Sequence, residues 1–259
     1  MKTTFYKYQG TGNDFIVIDN RSGLFQVNPI NIANLCNRHY GIGADGLMLL
    51  QNKAGYDFEM LYFNADGYEG SMCGNGGRCI VAFAKHLGII TKEVIFLAVD
   101  GPHQAVALPT GNIALKMKDV DAIVDHTDYY TIDTGSPHYV TFVQNLASLN
   151  VADVGRSIRN QPQFFTKGIN VNFVAITKDE IWIRTYERGV EAETQSCGTG
   201  VTAAVLVTDF VDKMPQLNHY SVHTTGGTLK VSFKKLEKPG QYNEIWLEGP
   251  AKFVFEGKI

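Results

Sequence analysis

The sequence predicts an α/β protein of two like halves, each a curved mixed sheet wrapped around a central helix. Two observations lead to this fold class. Alternating segments typical of strands dominate the chain, among them "DFEMLYFN" and "EIWIRTYE". Both strands lead into a glycine-rich loop with a cysteine, "GSMCGNGG" and "TQSCGTG", and then into an Ala/Val-rich stretch typical of a helix. A strand-rich half with one apolar helix favours a sheet that packs around that helix.

The halves are recognised by internal similarity. Thr11 of "GTGNDFIVID" and Thr134 of "DTGSPHYVTF" are 123 positions apart, and Cys73 and Cys197 are 124 apart. Landmarks that recur in the same order at a near-constant offset indicate a duplication. One extra residue therefore lies in the loop before the second cysteine.

The duplication suggests where the halves begin and end. We expect a first half over residues 1–117 and a second half over 118–249, with a C-terminal strand at 250–259 returning to the first half. Besides the two helices after the cysteines, one more is expected in "NPINIANLCNRH". It begins with Asn28 as its N-cap and Pro29 at the first helical position.

Composition narrows the class of protein. Of 259 residues, 44% are hydrophobic and 19% are charged, and the formal net charge is -3. These values are typical of a globular protein and give no electrostatic reason to expect nucleic acid or an anionic membrane as a partner. No run approaches 18 apolar residues, and the N-terminus lacks a secretory signal pattern. We expect a cytoplasmic protein whose four cysteines are reduced thiols.

A cysteine at a helix start has distinctive chemistry. The first backbone N–H groups of a helix lack intrahelical partners, and the helix dipole makes that end positive. A thiolate is favoured there, and the free N–H groups can hold a carboxylate. Two such thiols, brought by the duplication to opposite sides of one carbon, suit removal of a proton from one face and its return to the other. This pattern predicts a racemase or epimerase without a cofactor.

Other motifs are interpreted as structural. "GIGADG" at residues 41–46 matches a dinucleotide fingerprint, but a predicted helix precedes it and a strand follows, so we interpret it as a turn. Cys36 and Cys79 lie within predicted helices and are expected to act as small hydrophobic residues. His219 and His223 lie on a predicted strand, too far apart to share a metal. No metal site is expected.

The motifs "GTGNDF", "FNADGYEGSMCGNGGRC", "TGSPH", "GINVNF" and "YERGVEAETQSCGTG" together resemble the diaminopimelate epimerase family. The resemblance covers about residues 5 to 205. It implies interconversion of LL- and meso-diaminopimelate for lysine and peptidoglycan synthesis, without pyridoxal phosphate or metal. It also implies two pseudosymmetric α/β domains of the diaminopimelate epimerase type, a small amino acid as the binding partner, and a homodimer.

By the same resemblance, Cys73 and Cys197 are the two acid–base thiols. His138 and Glu187 would tune and orient them. The residues implied to hold the substrate are Asn13, Asn64, Gly74, Asn75, Asn170, Glu187, Arg188, Gly198 and Thr199. Without the resemblance, asparagines at these positions are equally typical of turns, Arg188 of a solvated surface, and His138 of a surface loop.

The chain departs from many relatives at three places. Ser136 stands where many members have Asn, Gly46 stands where some have Gln, and the loop from Glu187 to Cys197 is one residue longer. These changes leave open a racemase of the same superfamily that acts on another amino acid. A thiol–disulfide redox protein using Cys73 and Cys197 is a hypothesis of a different class, although no CxxC motif is present. A plain amino acid binding protein would not need two thiols.

Overall fold

A computed structural model describes residues 2–215 and 217–259 and divides the chain into two compact units. Unit 1 contains residues 1–115 and 249–259, and unit 2 contains residues 116–248. None of the helices formed by the described residues combines the length and the apolar character needed to cross a bilayer.

Unit 1 is a mixed sheet with a helix on each face. Its elements are β1 (Thr4–Gly10), β2 (Asn13–Asp19), α1 (Pro29–Cys36), β3 (Gly46–Gln51), β4 (Phe58–Asn64), α2 (Gly74–His86), β5 (Glu93–Ala98), β6 (Gly101–Ala107), β7 (Ile113–Lys116) and β17 (Lys252–Lys258). The strands follow the order β17-β1-β2-β3-β4-β5-β6-β7, in which the β2–β3 and β4–β5 pairs are parallel and the others antiparallel.

Unit 2 repeats this topology strand for strand. Its elements are β8 (Ile123–Asp125), β9 (Tyr130–Asp133), β10 (Pro137–Phe142), α3 (Val151–Arg159), β11 (Asn170–Thr177), β12 (Glu180–Glu187), β13 (Ala192–Thr194), α4 (Gly198–Phe210), β14 (His219–Thr224), β15 (Gly227–Lys235) and β16 (Tyr242–Gly249). The order is β8-β9-β10-β11-β12-β14-β15-β16, again with two parallel pairs, β10–β11 and β12–β14. The predicted fold class is confirmed. The short β13, paired with β12, lies in the loop that precedes Cys197.

The post-cysteine helices are the central helices. α2 contacts β17, β1, β2, β3 and β6, and α4 contacts β9, β10, β11, β12, β14 and β15. A straight helix touches strands so far apart in one sheet only when the sheet curves around it. Both helices are buried along most of their length, which explains the apolar residues that fill their middle turns.

The second face of each sheet is covered by a shorter helix. Because side chains alternate along a strand, Leu47 and Leu49 of β3 pack with Ile32 of α1, whereas Met48 points toward α2. α1 begins as predicted, with the Asn28 side chain accepting a hydrogen bond from the Asn31 N–H. It ends at Cys36, so the helix is shorter than the predicted segment and Cys36 is its last residue.

α3 is the counterpart of α1 in unit 2, and it is not among the helices predicted from the sequence. Its N-cap Asn150 accepts a hydrogen bond from the Asp153 N–H at 3.2 Å and donates from Nδ2 to Asp153 Oδ2 at 2.7 Å. Val151 is buried against the sheet. The helix was missed because it is short and amphipathic, and its sequence between the caps contains a glycine that lowers helix propensity.

Candidate active site

Cys73 forms the N-cap of α2 through its sulfur. The Gly76 N–H donates to Cys73 Sγ at 3.2 Å, so the thiol takes the place that a Ser or Asn oxygen usually fills. The sulfur also lies 3.8 Å from Asn13 Oδ1. Cys73 is half-buried, and it faces the positive end of a helix, as the sequence predicted.

The orientation of Asn13 is fixed from behind. Its Nδ2 donates to Asp45 Oδ2, and Arg38 donates to the other carboxylate oxygen of Asp45 at 2.6 Å. Because the amide nitrogen is held by Asp45, the amide oxygen points at Cys73 Sγ. Asn13 is the first residue of β2, so the hairpin turn between β1 and β2 carries it to the cysteine.

Asn75 belongs to the first turn of α2 and is buried. Its Oδ1 accepts hydrogen bonds from Thr11 at 3.1 Å and from Arg78 at 2.8 Å. Arg78 also donates to the backbone oxygen of Gly74. The structure thus brings Asn13, Gly74 and Asn75 together around Cys73.

Asn64 belongs neither to the start of α2 nor to the β1–β2 turn. It is the last residue of β4 and is exposed, and its side chain lies against Gly70. It pairs in register with Gly46 of β3. A Cβ added at Gly46 would come within 2.5 Å of both Tyr62 Cε2 and the Phe63 carbonyl oxygen. In this chain Tyr62 therefore fills the space that a larger side chain at position 46 would need.

Cys197 is the N-cap of α4 and occupies the same place in unit 2. It is 7% exposed, and its Sγ lies 3.4 Å from Thr199 Oγ1. The Thr134 hydroxyl donates to the Thr199 carbonyl oxygen at 2.9 Å. This contact corresponds to that of Thr11 with Asn75, because in each unit a threonine of a turn between two strands anchors the first turn of the cysteine helix. The repeat found in the sequence is a repeat of local geometry.

His138 is on β10 and is fully buried, so the interpretation as a surface-loop histidine is wrong. Its Nδ1 lies 3.0 Å from Nδ2 of Asn172, which also donates to the Tyr139 carbonyl oxygen at 2.9 Å. Asn172 Oδ1 accepts from the Thr185 hydroxyl. With its amide so oriented, Asn172 donates to His138 Nδ1, which assigns the proton of the neutral ring to Nε2.

The ring is neutral because it is buried. Burial is the largest cause that lowers the pKa of His138, which falls to about 3, and the nearby charge of Asp133 opposes this only in part. His138 Nε2 is a buried nitrogen without a hydrogen-bond partner among residues 2–215 and 217–259. A donor in this state is costly unless a ligand or water completes it.

Glu187 ends β12 in a half-buried position. The Thr194 hydroxyl donates to its Oε2 at 2.8 Å. Burial raises the pKa of this carboxyl, and the Thr194 hydrogen bond opposes the rise. A carboxyl with a raised pKa exchanges protons closer to neutral pH than an exposed one, which suits a group that tunes an acid–base site.

Asn170, Arg188 and Ser136 form one hydrogen-bonded group. Asn170 Nδ2 donates to Ser136 Oγ at 2.9 Å, and Asn170 Oδ1 accepts from the Arg188 N–H at 2.9 Å. The guanidinium of Arg188 is exposed and donates to Ser136 Oγ at 3.2 Å and to the Lys167 carbonyl oxygen at 3.1 Å. Its remaining donors have no hydrogen-bond partner among the residues that the structure describes and suit an anionic ligand. Ser136 thus holds two of the predicted substrate-binding residues of unit 2, Asn170 and Arg188, in place.

The contacts of Asn172 and Arg78, and the anchoring roles of Thr11 and Thr134, are not predicted from the sequence. A signal for Asn172 was present, because it follows Asn170 by two positions in an apolar strand and so shares its face. A signal for Arg78 is its charge, since it is the first charged residue of α2 and is followed by an apolar stretch. The segment "GIGADG" follows α1 and precedes β3, so its interpretation as a turn is confirmed.

Comparison with known proteins gives the family. The family model for diaminopimelate epimerase matches residues 5–132 and again residues 130–254. A protein of Flavobacterium psychrophilum named diaminopimelate epimerase is 48% identical over 98% of this chain and 99% of its own length. A protein of the same name from Chlorobaculum tepidum is 42% identical over 96% and 98% of the two chains.

Solved structures share the fold at low sequence identity. A phenazine biosynthesis protein of the PhzF family from Bacillus anthracis has a TM-score of 0.76 at 16% identity, covering 100% of this chain and 99% of that one. A hydroxyproline epimerase from Agrobacterium vitis has a TM-score of 0.69 at 14% identity, covering 100% and 92%. The family model matches both halves of the chain, and the relatives match over almost their whole length. This chain therefore belongs to the diaminopimelate epimerase family.

Proposed function

We infer that this protein interconverts LL- and meso-diaminopimelate by proton transfer between two cysteines. The observation that carries the inference is that Cys73 and Cys197 are N-caps of equivalent helices in two units of the same topology. The family match over residues 5–132 and 130–254 and the names of the relatives supply the substrate.

In the proposed reaction, one sulfur acts as a thiolate and the other as a thiol. The thiolate removes the proton from the substrate α-carbon and becomes a thiol, and the electron pair remains on the substrate. The second thiol then donates its proton to the opposite face of that carbon and becomes a thiolate. The product is the inverted centre, and the enzyme is ready for the reverse reaction.

The surrounding groups have supporting roles in this proposal. The first-turn N–H groups of α2 and α4, with Gly74, Asn75, Gly198 and Thr199, hold the α-carboxylate and so favour the developing charge. Asn13 directs its amide oxygen at Cys73. Asn64, Asn170 and Arg188 hold the distal amino acid group. His138 and Glu187 set the protonation state around Cys197.

We further propose that the protein works in the cytoplasm in lysine biosynthesis and forms a homodimer. Support for the dimer comes from β17, where Phe253, Val254 and Phe255 are 46%, 52% and 44% exposed. Three adjacent large apolar side chains on a strand that pairs with β1 are typical of a surface that another chain covers. Analytical ultracentrifugation of the parent and of Val254→Lys tests this. We expect the parent to be a dimer and Val254→Lys to dimerise more weakly. A monomeric parent would contradict the proposal.

Optical rotation tests the activity. Because meso-diaminopimelate is optically inactive, pure LL-diaminopimelate should lose most of its rotation when the protein is added. Inversion of another amino acid in place of diaminopimelate would identify the protein as a different racemase. Oxidation of the thiols by a disulfide substrate, without loss of rotation, would identify a redox protein.

A further inference from the structure

Arg78 is a buried cation at the helix start that carries Cys73. Its side chain is fully buried, and its four hydrogen bonds within the described residues all go to neutral oxygens. The acceptors are Asn75 Oδ1 at 2.8 Å, Thr11 Oγ1 at 3.1 Å, Gly74 O at 3.2 Å and Pro250 O at 3.3 Å. These bonds use four of the five N–H donors of the guanidinium but leave its charge uncompensated. A buried charge without a counter-ion is costly.

The available counter-ion is Cys73. Among the residues that the structure describes, Arg78 interacts electrostatically with the cysteines Cys79 and Cys73. Burial raises the pKa of Cys79 to about 12, so this thiol is protonated at neutral pH. Arg78 donates to the carbonyl oxygen of Gly74, which directly follows Cys73 in the chain. Cys73 is thus the group whose ionisation can balance Arg78.

The other groups of unit 1 that face Cys73 do not change its role as the counter-ion of Arg78. Tyr62 interacts with Cys73, but burial raises the pKa of its hydroxyl, which is therefore neutral. The carboxylate of Asp45 reaches Cys73 only through Asn13 and is itself paired with Arg38. The helix dipole of α2 adds to the positive potential that Arg78 creates.

Arg78 also holds the turn that carries Asn13. Thr11 in that turn is buried and has a φ of 49°, a conformation that β-branched residues rarely adopt. Its hydroxyl is tied to both Asn75 and Arg78. Asn13 follows two residues later and faces Cys73 Sγ. One side chain therefore fixes the helix start and the neighbouring turn together.

We propose that Arg78 is the positioning residue and internal counter-ion of the Cys73 site, favouring the thiolate and, when substrate is bound, its carboxylate. The proposal rests on the proposed function in that Cys73 is an acid–base group. Its test needs no substrate, so failure of inversion and failure of this proposal are distinguishable.

The test is the rate of Cys73 alkylation by iodoacetamide as a function of pH, measured by peptide mapping in a Cys197→Ala background. Alkylation follows the thiolate fraction, so the midpoint of the profile reports the ionisation of Cys73. In Arg78→Met we expect the midpoint to rise by about one pH unit, which slows the reaction about tenfold at neutral pH. Arg78→Lys, which keeps the charge, should restore most of the rate.

Lys85→Met is the matched control, because it removes a cation from the exposed last turn of the same helix. Its profile should equal that of the parent. If Arg78→Met folds and its midpoint equals that of the parent, the proposal is overturned. Arg78 would then have a purely structural role, which does not move the pH profile. If Arg78→Met does not fold, the profile of the protein that retains Arg78 is the test. The proposal requires the midpoint of Cys73 alkylation in that protein to lie below about 8.5, the value for a free cysteine, and a higher midpoint overturns it.

Discussion

Asn172 Nδ2 lies 3.0 Å from Nδ1 of the fully buried His138 and sets the tautomer of that ring. The same amide is held by the Tyr139 carbonyl oxygen and the Thr185 hydroxyl. A Cβ added at Gly200 in the first turn of α4 would come within 2.4 Å of Asn172 Oδ1. The helix start that carries Cys197 and the histidine of β10 are therefore connected through one asparagine.

This connection predicts that Gly200→Ala lowers activity, although neither Gly200 nor Asn172 is a proposed acid or base. The new methyl group must displace Asn172, which releases His138 from its hydrogen bond. We expect activity to fall at least about tenfold and stability to fall by about 1–3 kcal/mol, as for overpacking of a core. Steady-state kinetics and urea unfolding measure the two effects.

The duplication supplies the control. Gly76 is the equivalent residue of α2, and a Cβ there would meet its neighbours at 3.4 Å, an ordinary contact. Gly76→Ala should fold normally and be at least as stable as the parent, because alanine is the better helix former. Equal losses of stability in Gly76→Ala and Gly200→Ala would show that the Asn172 contact is not the cause.

The low pKa of His138 predicts acid sensitivity. Its pKa of about 3 in the folded protein lies below the value of about 6.5 in an unfolded chain. The unfolded state alone binds a proton between these values, so this contribution to stability is fully present above pH 6.5 and is lost as the pH falls toward 3. Between pH 8 and pH 5 the loss amounts to about 2 kcal/mol.

Urea unfolding of the parent and of His138→Gln at both pH values measures this. We expect the variant to lose less stability than the parent on acidification, by about that amount. An identical loss in the two proteins would mean that His138 is not a buried neutral ring.

The pKa of Glu187 is shifted in the opposite direction to that of His138. Its raised pKa means that the folded protein prefers the protonated carboxyl, so its contribution to stability is present at low pH and is lost as the pH rises through the folded-state value. Glu187→Gln removes this cost and keeps an acceptor for Thr194. The variant should therefore be at least as stable as the parent at pH 7 while losing activity about tenfold or more. An active variant, or one destabilised at pH 7 only, would contradict the assignment.

Much of this site could be predicted from the sequence because its main features are local. A glycine-rich turn before an apolar stretch predicts a helix start, and Cys73 and Cys197 are indeed the N-caps of α2 and α4. The repeat of Thr11 at Thr134 predicted like-folded halves, and both threonines anchor a cysteine helix.

The rest depends on contacts between residues far apart in the chain. The burial of His138 follows from packing between β10, β11 and α4, which no local pattern reveals. Arg78 looks like an ordinary helix residue until Thr11 and Pro250 are brought to it. Likewise, Gly46 is constrained by Tyr62, which lies on the neighbouring strand.

Replacement of single cysteines separates the two proposed acid–base thiols from the structural ones. Cys73→Ala and Cys197→Ala should each lower inversion by a factor of about 10² to 10⁴, because each removes one proton-transfer group. Cys36→Ala is the control: burial raises the pKa of Cys36 to about 11, so its thiol is neutral and serves only as packing. That variant should keep its activity with a modest loss of stability, and an inactive but folded Cys36→Ala would contradict the assignment.

Incorporation of solvent hydrogen into the substrate tests the two-thiol reaction most directly. Pure LL-diaminopimelate is incubated with the protein in deuterium oxide, and the first meso product is analysed by mass spectrometry and NMR. Because the donating thiol exchanges with solvent, each meso molecule should carry one deuterium, located at the inverted carbon. Meso-diaminopimelate that retains its original hydrogen at that carbon would contradict proton transfer between two separate thiols.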